Sequence, residues 1–276
     1  EISECLVGSE MCIRDSSNVV ERAIEYWNGD EGKRGIVTLC WHWCPAARYD
    51  KSKSDPWGTF YTDKTKFNLA RAMNGRDPDG YQMLLDDIDA IAVQLKRLQD
   101  ADVPVLWRPL HEASGGWFWW GASGADAYLQ LYKLMYDRLT NVHGLNNLIW
   151  VWNGQDAAWY PGDEYVDIIG EDIYPGKHVY TSQAARFIKA LSYTDTRKLI
   201  TLSENGCIPD PEQLVRDNIM WSYWCVWEGE FVLKAAGFNN YSEQYTEKNM
   251  LKKAYKSDTV ITRKELPDLR NYPLGD

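Results

Sequence analysis

The sequence predicts an α/β protein built as a (β/α)₈ barrel, and two observations predict it. Apolar, β-branched segments alternate with helical patterns along the chain, which favours parallel strands joined by helical crossovers. Polar and aromatic residues repeatedly follow these segments, and a barrel collects the ends of all its strands at one face. The length of 276 residues suits a single domain of this kind.

The predicted elements follow one another in a regular order. Strands are predicted at 35–43, 103–108, 146–152, 165–174, 198–204 and 219–227. Apolar residues at helical spacing predict helices at 18–27, 84–98, 126–140, 182–191 and 246–256, with a brief helical turn at 210–218. A long connection, 44–80, separates the first predicted strand from the next helix. Connections this long are usually functional or disordered segments.

The first seventeen residues, 1–17, differ from the rest of the chain. They show no clear period, and Cys5 and Cys12 have no evident partner. We therefore predict that 1–17 is a segment foreign to the native protein and that 18–276 forms the catalytic barrel domain. Six predicted strands are two short of a closed eight-stranded barrel.

Composition excludes some classes of partner and favours another. The net charge of −10 argues against nucleic acid and anionic membranes, and no apolar run is long enough to span a bilayer. The chain has 14 tryptophans and 17 tyrosines but only 6 phenylalanines. Because Trp and Tyr combine an apolar face with a polar edge, they suit sugar rings, although about half of them are expected to pack in the core.

The six cysteines do not predict a metal site. Cys40 and Cys44 have no second pair of ligands nearby, so their spacing matches no zinc pattern. We expect buried thiols, with a bridge between Cys207 and Cys225 as the alternative.

Two glutamates are the candidates for catalysis. Glu112 and Glu204 each follow an apolar strand, and glycine comes within three positions of each. Acid–base cleavage of a glycosidic bond needs two such carboxyl groups across the bond. The aromatic run at 117–120 beside Glu112 would raise the pKa of an acid there, whereas the segment LSENG around Glu204 is polar. Either glutamate alone would suggest only an ion pair at a strand end.

The segment RPLHEASGGWFWWG, 108–121, resembles the acid/base motif of glycoside hydrolase family 26, which includes many β-mannanases. LSENG resembles the nucleophile strand of that family, GIVTLCWHW its third strand, YPGDEYVDIIGEDIY its sixth and MWSYWCVWEGEF its eighth. By this resemblance the first two strands should precede Asn18, where only the unusual 1–17 is present. The expected fold is therefore an incomplete barrel that lacks strands one and two.

The resemblance also implies a role for each site residue. Glu112 would be the general acid/base and Glu204 the nucleophile of a retaining mechanism, with carboxyl groups about 5–5.5 Å apart. Arg108 would hold the nucleophile, and Tyr174 would donate a hydrogen bond to it. The other implied sugar-binding residues are His42, His111, Trp117, Asp172 and Trp227. Trp119 and Trp120 are expected mainly to pack.

These roles imply an extracellular, monomeric endo-β-1,4-mannanase that acts on mannan, glucomannan or galactomannan. No cofactor or metal is expected, since carboxylates alone can perform the reaction. β-Glucanases and β-1,3-xylanases of the same family share the catalytic pair and are the alternatives within the family. A non-catalytic carbohydrate-binding protein is the alternative outside it, but a pure binding protein needs no such pair.

Overall fold

A computed structural model describes residues 18–29, 35–45, 58–234 and 240–273. Within them, six parallel strands form one sheet in the order β1-β2-β3-β4-β5-β6. The strands are β1 Val37–Cys40, β2 Val105–Arg108, β3 Leu148–Trp152, β4 Ile168–Ile173, β5 Leu199–Asn205 and β6 Trp224–Val226. The prediction made for 1–17 lies outside the described residues, and the domain boundary stays a prediction.

Helices connect the strands. They are α1 Val19–Asn28, α2 Leu69–Met73, α3 Pro78–Asp100, α4 Trp119–Ala122, α5 Ala125–Asp137, α6 Ala184–Leu191, α7 Pro211–Asp217 and α8 Lys248–Tyr255. In α3, the Asp77 side chain caps the first turn by accepting from the Gly80 N–H, and Pro78 occupies the first helical position. The predicted apolar stripe of α3 is buried along its length.

The strand order decides between the two common parallel α/β architectures. Each strand pairs with the next strand in the chain, with no reversal of direction across the sheet. A doubly wound sheet would reverse its order at a switch point. The prediction of an incomplete (β/α)₈ barrel is therefore confirmed, and the carboxyl ends of its strands lie at one face.

Five of the six observed strands are shorter than predicted, and β5 is shifted by one residue at the same length. β1 ends at Cys40, and the following residues to Trp43 are buried by packing rather than by strand pairing. Trp41 and Trp43 stack with ring centroids 4.2 Å apart, which explains why this apolar stretch looks like a longer strand. The strand predicted at 219–227 is likewise shorter in the structure, where β6 spans only Trp224–Val226.

Tryptophans fill much of the core beneath the site. Trp119 and Trp120 are buried, as predicted, and each indole N–H donates to a backbone carbonyl, of Trp43 at 2.6 Å and His111 at 2.8 Å. Cys40, Cys44 and Cys207 are buried free thiols, as expected, so the alternative bridge between Cys207 and Cys225 is not formed. Cys225 is disulfide-bonded, and the expectation of a thiol there is wrong. Across the described residues, no helix is both long and apolar enough to cross a membrane.

Candidate active site

The carboxyl-terminal face of the sheet holds every predicted site residue. They are His42 after β1, Arg108 at the end of β2 with His111, Glu112 and Trp117 beyond it, Asp172 and Tyr174 at the end of β4, Glu204 in β5 and Trp227 after β6. The two glutamates are 92 positions apart in the sequence, yet the parallel strands bring them to the same edge. The site follows directly from the topology.

Three carboxyl groups converge at the centre of this face. One oxygen each from Glu112, Asp172 and Glu204 lies within 4.8 Å of the others. Asp172 and Glu204 are buried, and Glu112 is partly exposed. This spacing is close to the separation of about 5–5.5 Å that retaining glycosidases use, and is shorter than that of inverting enzymes.

Arg108 lies between two of these carboxyl groups. Its Nη1 donates to Asp172 Oδ2 at 3.0 Å, and its Nη2 donates to Glu204 Oε1. The three side chains are no more than 5% exposed, so water contributes little to their solvation. The three carboxyl groups are close enough together to hold a metal ion. However, the Arg108 guanidinium already supplies a positive charge between Asp172 and Glu204.

Glu112 has an unusual backbone conformation and a perturbed side chain. Its φ of 53° and ψ of 29° lie in the left-handed region, which costs a non-glycine residue about 1–3 kcal/mol. The Trp117 indole N–H donates to Glu112 Oε2 at 2.9 Å. Burial, followed by the charge of Glu204, raises the pKa of Glu112 above its ordinary value, although Arg108 and the Trp117 hydrogen bond oppose the rise.

Glu204 is held from both sides. Tyr174 Oη donates to Glu204 Oε2 at 2.6 Å, while Arg108 contacts the other oxygen. The Tyr174 ring packs against Phe231, with centroids 5.3 Å apart, and burial beside Glu204 raises the pKa of the phenol. Tyr174 therefore stays protonated and can donate to the carboxylate at all ordinary pH values.

Asp172 is the most deeply buried of the three acids. Its Oδ1 accepts from Ser203 Oγ at 2.7 Å, and its Oδ2 accepts from Arg108. Burial raises the pKa of Asp172 well above its ordinary value, and the charges of Glu204 and Glu112 add to that effect. One guanidinium cannot balance three carboxylates, so the site disfavours the simultaneous ionisation of all three acids.

Two histidines form the wall beside Glu112. The His42 and His111 rings meet edge to face with centroids 4.9 Å apart, and both are buried. Burial and the nearby Arg108 lower the pKa of His42 to about 4 and that of His111 well below its ordinary value. Both imidazoles are therefore neutral at physiological pH and offer hydrogen bonds without adding charge.

Aromatic side chains line the cleft around the carboxyl groups. Trp117 is 47% exposed, and Trp227 is partly exposed with its ring 6.2 Å from that of His42. Phe60 and Phe118 pack against the same histidine at 4.8 and 6.0 Å. The cleft thus combines apolar faces with a few converging polar groups, as sugar-binding sites require.

Sequence reasoning missed three residues that shape the site. Asn153 is completely buried after β3 and contacts both Arg108 and Glu112. Ser203 donates to Asp172, and Gly115 leaves the space that the Trp117 ring occupies. Asn153 directly follows a strand, which is the one sequence signal that could have identified it.

Comparison with known sequences identifies the family. Residues 7–265 match the profile of Glycosyl hydrolase family 26. The chain belongs to this family. A mannan endo-1,4-β-mannosidase of Thermothelomyces thermophilus is 46% identical to this family 26 chain over 233 residues, which cover 84% of the chain and 46% of that protein.

Solved structures of family 26 agree with this assignment. A GH26-CBM35 β-(1,4)-mannanase of Podospora anserina superposes with a TM-score of 0.79 at 40% identity, covering 91% of this chain and 53% of that one. A β-mannanase from a symbiotic protist of the termite Reticulitermes speratus, complexed with gluco-manno-oligosaccharide, also gives 0.79, at 36% identity and coverages of 92% and 74%. The chain spans about half the length of the curated relative from Thermothelomyces thermophilus.

Proposed function

We propose that this protein is a retaining endo-β-1,4-mannanase that hydrolyses mannan, glucomannan or galactomannan. The observation that carries the proposal is the close approach of Glu112 and Glu204, whose nearest oxygens lie within 4.8 Å in an aromatic cleft. At that spacing no room remains for a water molecule between the sugar and the second carboxylate, so direct attack is favoured over inversion.

In the first step, Glu112 protonates the departing glycosidic oxygen while Glu204 attacks the anomeric carbon. The raised pKa of Glu112 keeps a proton available for this transfer. Arg108 and Tyr174 each contact one oxygen of Glu204, which fixes the direction in which the carboxylate faces. The step ends with a covalent glycosyl ester on Glu204 and Glu112 ionised.

In the second step, Glu112 acts as the base. Esterification removes the negative charge of Glu204, which is one of the causes that raise the pKa of Glu112. The pKa of Glu112 therefore falls once the intermediate has formed, and its carboxylate takes a proton from the attacking water. Water then releases the sugar with its original anomeric configuration.

The remaining side chains provide the substrate contacts. Trp117 presents an exposed face beside Glu112 on which the leaving-group sugar can stack. His42 and Trp227 lie beside the carboxyl groups, where the reacting sugar would bind. Asp172 is fully buried and would act on that position through its contact with Arg108. Because mannan is a polymer that does not enter cells intact, we propose that the protein acts outside the cell, and we expect it to be a monomer.

Release of reducing ends from mannan, lichenan and β-1,3-xylan tests this proposal. We expect cleavage of mannan, and loss of that cleavage in Glu204→Ala and Glu112→Ala. Glu171→Gln is a matched control. Glu171 lies in β4 and is buried like Glu204, but its carboxylate pairs with Arg186 and not with Arg108. The control should keep its kcat on mannan.

The other results would contradict the proposal in distinct ways. A preference for lichenan or β-1,3-xylan would show that the protein is a β-glucanase or a β-1,3-xylanase and not a mannanase. Binding of mannan without any cleavage would make the protein a carbohydrate-binding protein. Equal activity of Glu204→Ala and the unmodified protein would remove Glu204 from the mechanism.

A further inference from the structure

Asn153 is a buried amide at the centre of the hydrogen-bond network beneath the site. Its Oδ1 accepts from Arg108 Nη1 at 3.3 Å and from the Glu112 backbone N–H at 3.1 Å. Its Nδ2 donates to the Gly170 carbonyl at 2.9 Å and to Ser203 Oγ at 3.1 Å. With two accepted and two donated hydrogen bonds, the amide uses its full capacity.

The chemistry of its neighbours fixes the orientation of this amide. The Arg108 guanidinium and the Glu112 N–H can only donate, so they require the oxygen on their side. The Gly170 carbonyl can only accept, so it requires the nitrogen on the other side. A rotated amide would set donor against donor and acceptor against acceptor, which is costly at a fully buried position. Asn153 is therefore held in a single orientation.

Asn153 also anchors the backbone of Glu112. The Glu112 N–H donates to the Asn153 backbone carbonyl at 2.7 Å as well as to its side chain. Glu112 adopts a left-handed conformation, as does Leu110 two positions earlier with φ 52°. Such a conformation persists only where its surroundings hold it, and Asn153 supplies both acceptors for this N–H.

The same amide contacts the groups around the opposite glutamate. Arg108 connects Asn153 to Glu204, and Ser203 connects it to Asp172 Oδ1 at 2.7 Å. We propose that Asn153 is the positioning residue that sets the acid/base Glu112 at a fixed place relative to the Arg108–Glu204 pair. This inference rests on the proposed function, because it assumes that Glu112 is the proton donor.

Comparison of two substrates tests the inference with Asn153→Ala. Mannan has a poor leaving group that needs protonation, whereas 2,4-dinitrophenyl β-mannobioside releases a phenolate that needs none. If Asn153 positions the acid, we expect kcat/KM on mannan to fall about 100-fold, while kcat/KM on the dinitrophenyl substrate changes much less. A merely structural role would reduce both by the same factor.

Asn147→Ala is the matched control at the other end of β3. Asn147 donates to the Val103 carbonyl at 2.9 Å, away from the site, so kcat/KM should stay unchanged on both substrates. If Asn153→Ala does not fold, Asn153→Ser keeps a small polar group in the space and permits the same comparison.

The outcomes separate this inference from the proposed function. No cleavage of either substrate by the unmodified protein would overturn the proposed function itself. Cleavage by the unmodified protein, with equal losses on both substrates or no loss in the folded Asn153 variant, would overturn the positioning role alone.

Discussion

Replacing Arg108 with methionine removes the positive charge that allows Asp172 and Glu204 to lie buried side by side. The guanidinium contacts both carboxyl groups, and all three side chains are at most 5% exposed. Breaking a buried ion pair by removing one partner costs about 3–5 kcal/mol, which lowers the unfolding temperature of a chain of this size by roughly 10 °C. We expect a loss of that order at pH 7.5.

The loss should depend on pH in a defined direction. Arg108 lowers the pKa of Asp172 and of Glu112, so its removal raises both pKa values further above those of the unfolded chain. The folded variant then holds protons that the unfolded chain releases, and its stability falls as the pH rises above about 4. The destabilisation should therefore be largest at neutral pH and should shrink towards pH 4.

Thermal unfolding followed by circular dichroism at pH 4, 5.5 and 7.5 measures both effects. Arg97→Met is the control, because Arg97 pairs with Glu21 where both side chains are nearly half exposed, and such a surface ion pair is worth about 1 kcal/mol or less. An equal loss of stability in Arg108→Met at pH 4 and at pH 7.5 would contradict this prediction, since the loss would then come from packing rather than charge.

Three further changes test individual contacts of the site. Tyr174→Phe removes the hydrogen bond to Glu204. A hydrogen bond to a charged group is worth about 1.5–3 kcal/mol, so kcat on mannan should fall roughly 10- to 100-fold. An unchanged kcat would contradict this role of Tyr174. Gly115→Ala places a Cβ 2.0 Å from the Trp117 ring and should displace the indole, which raises KM for mannan; an unchanged KM would show that the ring does not contact sugar. Trp117→Phe removes a hydrogen bond that lowers the pKa of Glu112, so that pKa should rise. The basic limb of the pH profile of kcat/KM should then move to higher pH. A shift to lower pH would be inconsistent with Glu112 as the acid.

The sequence predicts the elements well where local pattern and tertiary packing agree. The apolar stripe of α3 follows from periodicity, because the helix buries one repeating set of positions. The strands follow instead from continuous apolar runs, because parallel strands such as β2 and β4 are buried on both faces. The short helix α2 was not predicted, since it lies inside the long connection and five residues are too few to show a period. Strand ends were overestimated where buried aromatics such as Trp43 continue an apolar run beyond the ladder.

The site was predictable to the extent that its residues are titratable or aromatic and follow strands. Glu112 lies just beyond β2, and Glu204 lies at the carboxyl end of β5. Asn153 carries no charge, and its importance arises from four contacts with residues 17 to 50 positions away, which no local pattern reveals. The left-handed backbone of Glu112 is likewise a tertiary property, because an isolated glutamate would avoid it.

The anomeric configuration of the first product shows whether Glu204 acts as a nucleophile. Proton NMR during hydrolysis of a β-1,4-manno-oligosaccharide distinguishes the two anomers before they interconvert. Because the Glu112 and Glu204 oxygens approach within 4.8 Å, we expect the β-anomer to appear first. Initial appearance of the α-anomer would mean that water attacks directly, and would contradict the assignment of Glu204 as a nucleophile.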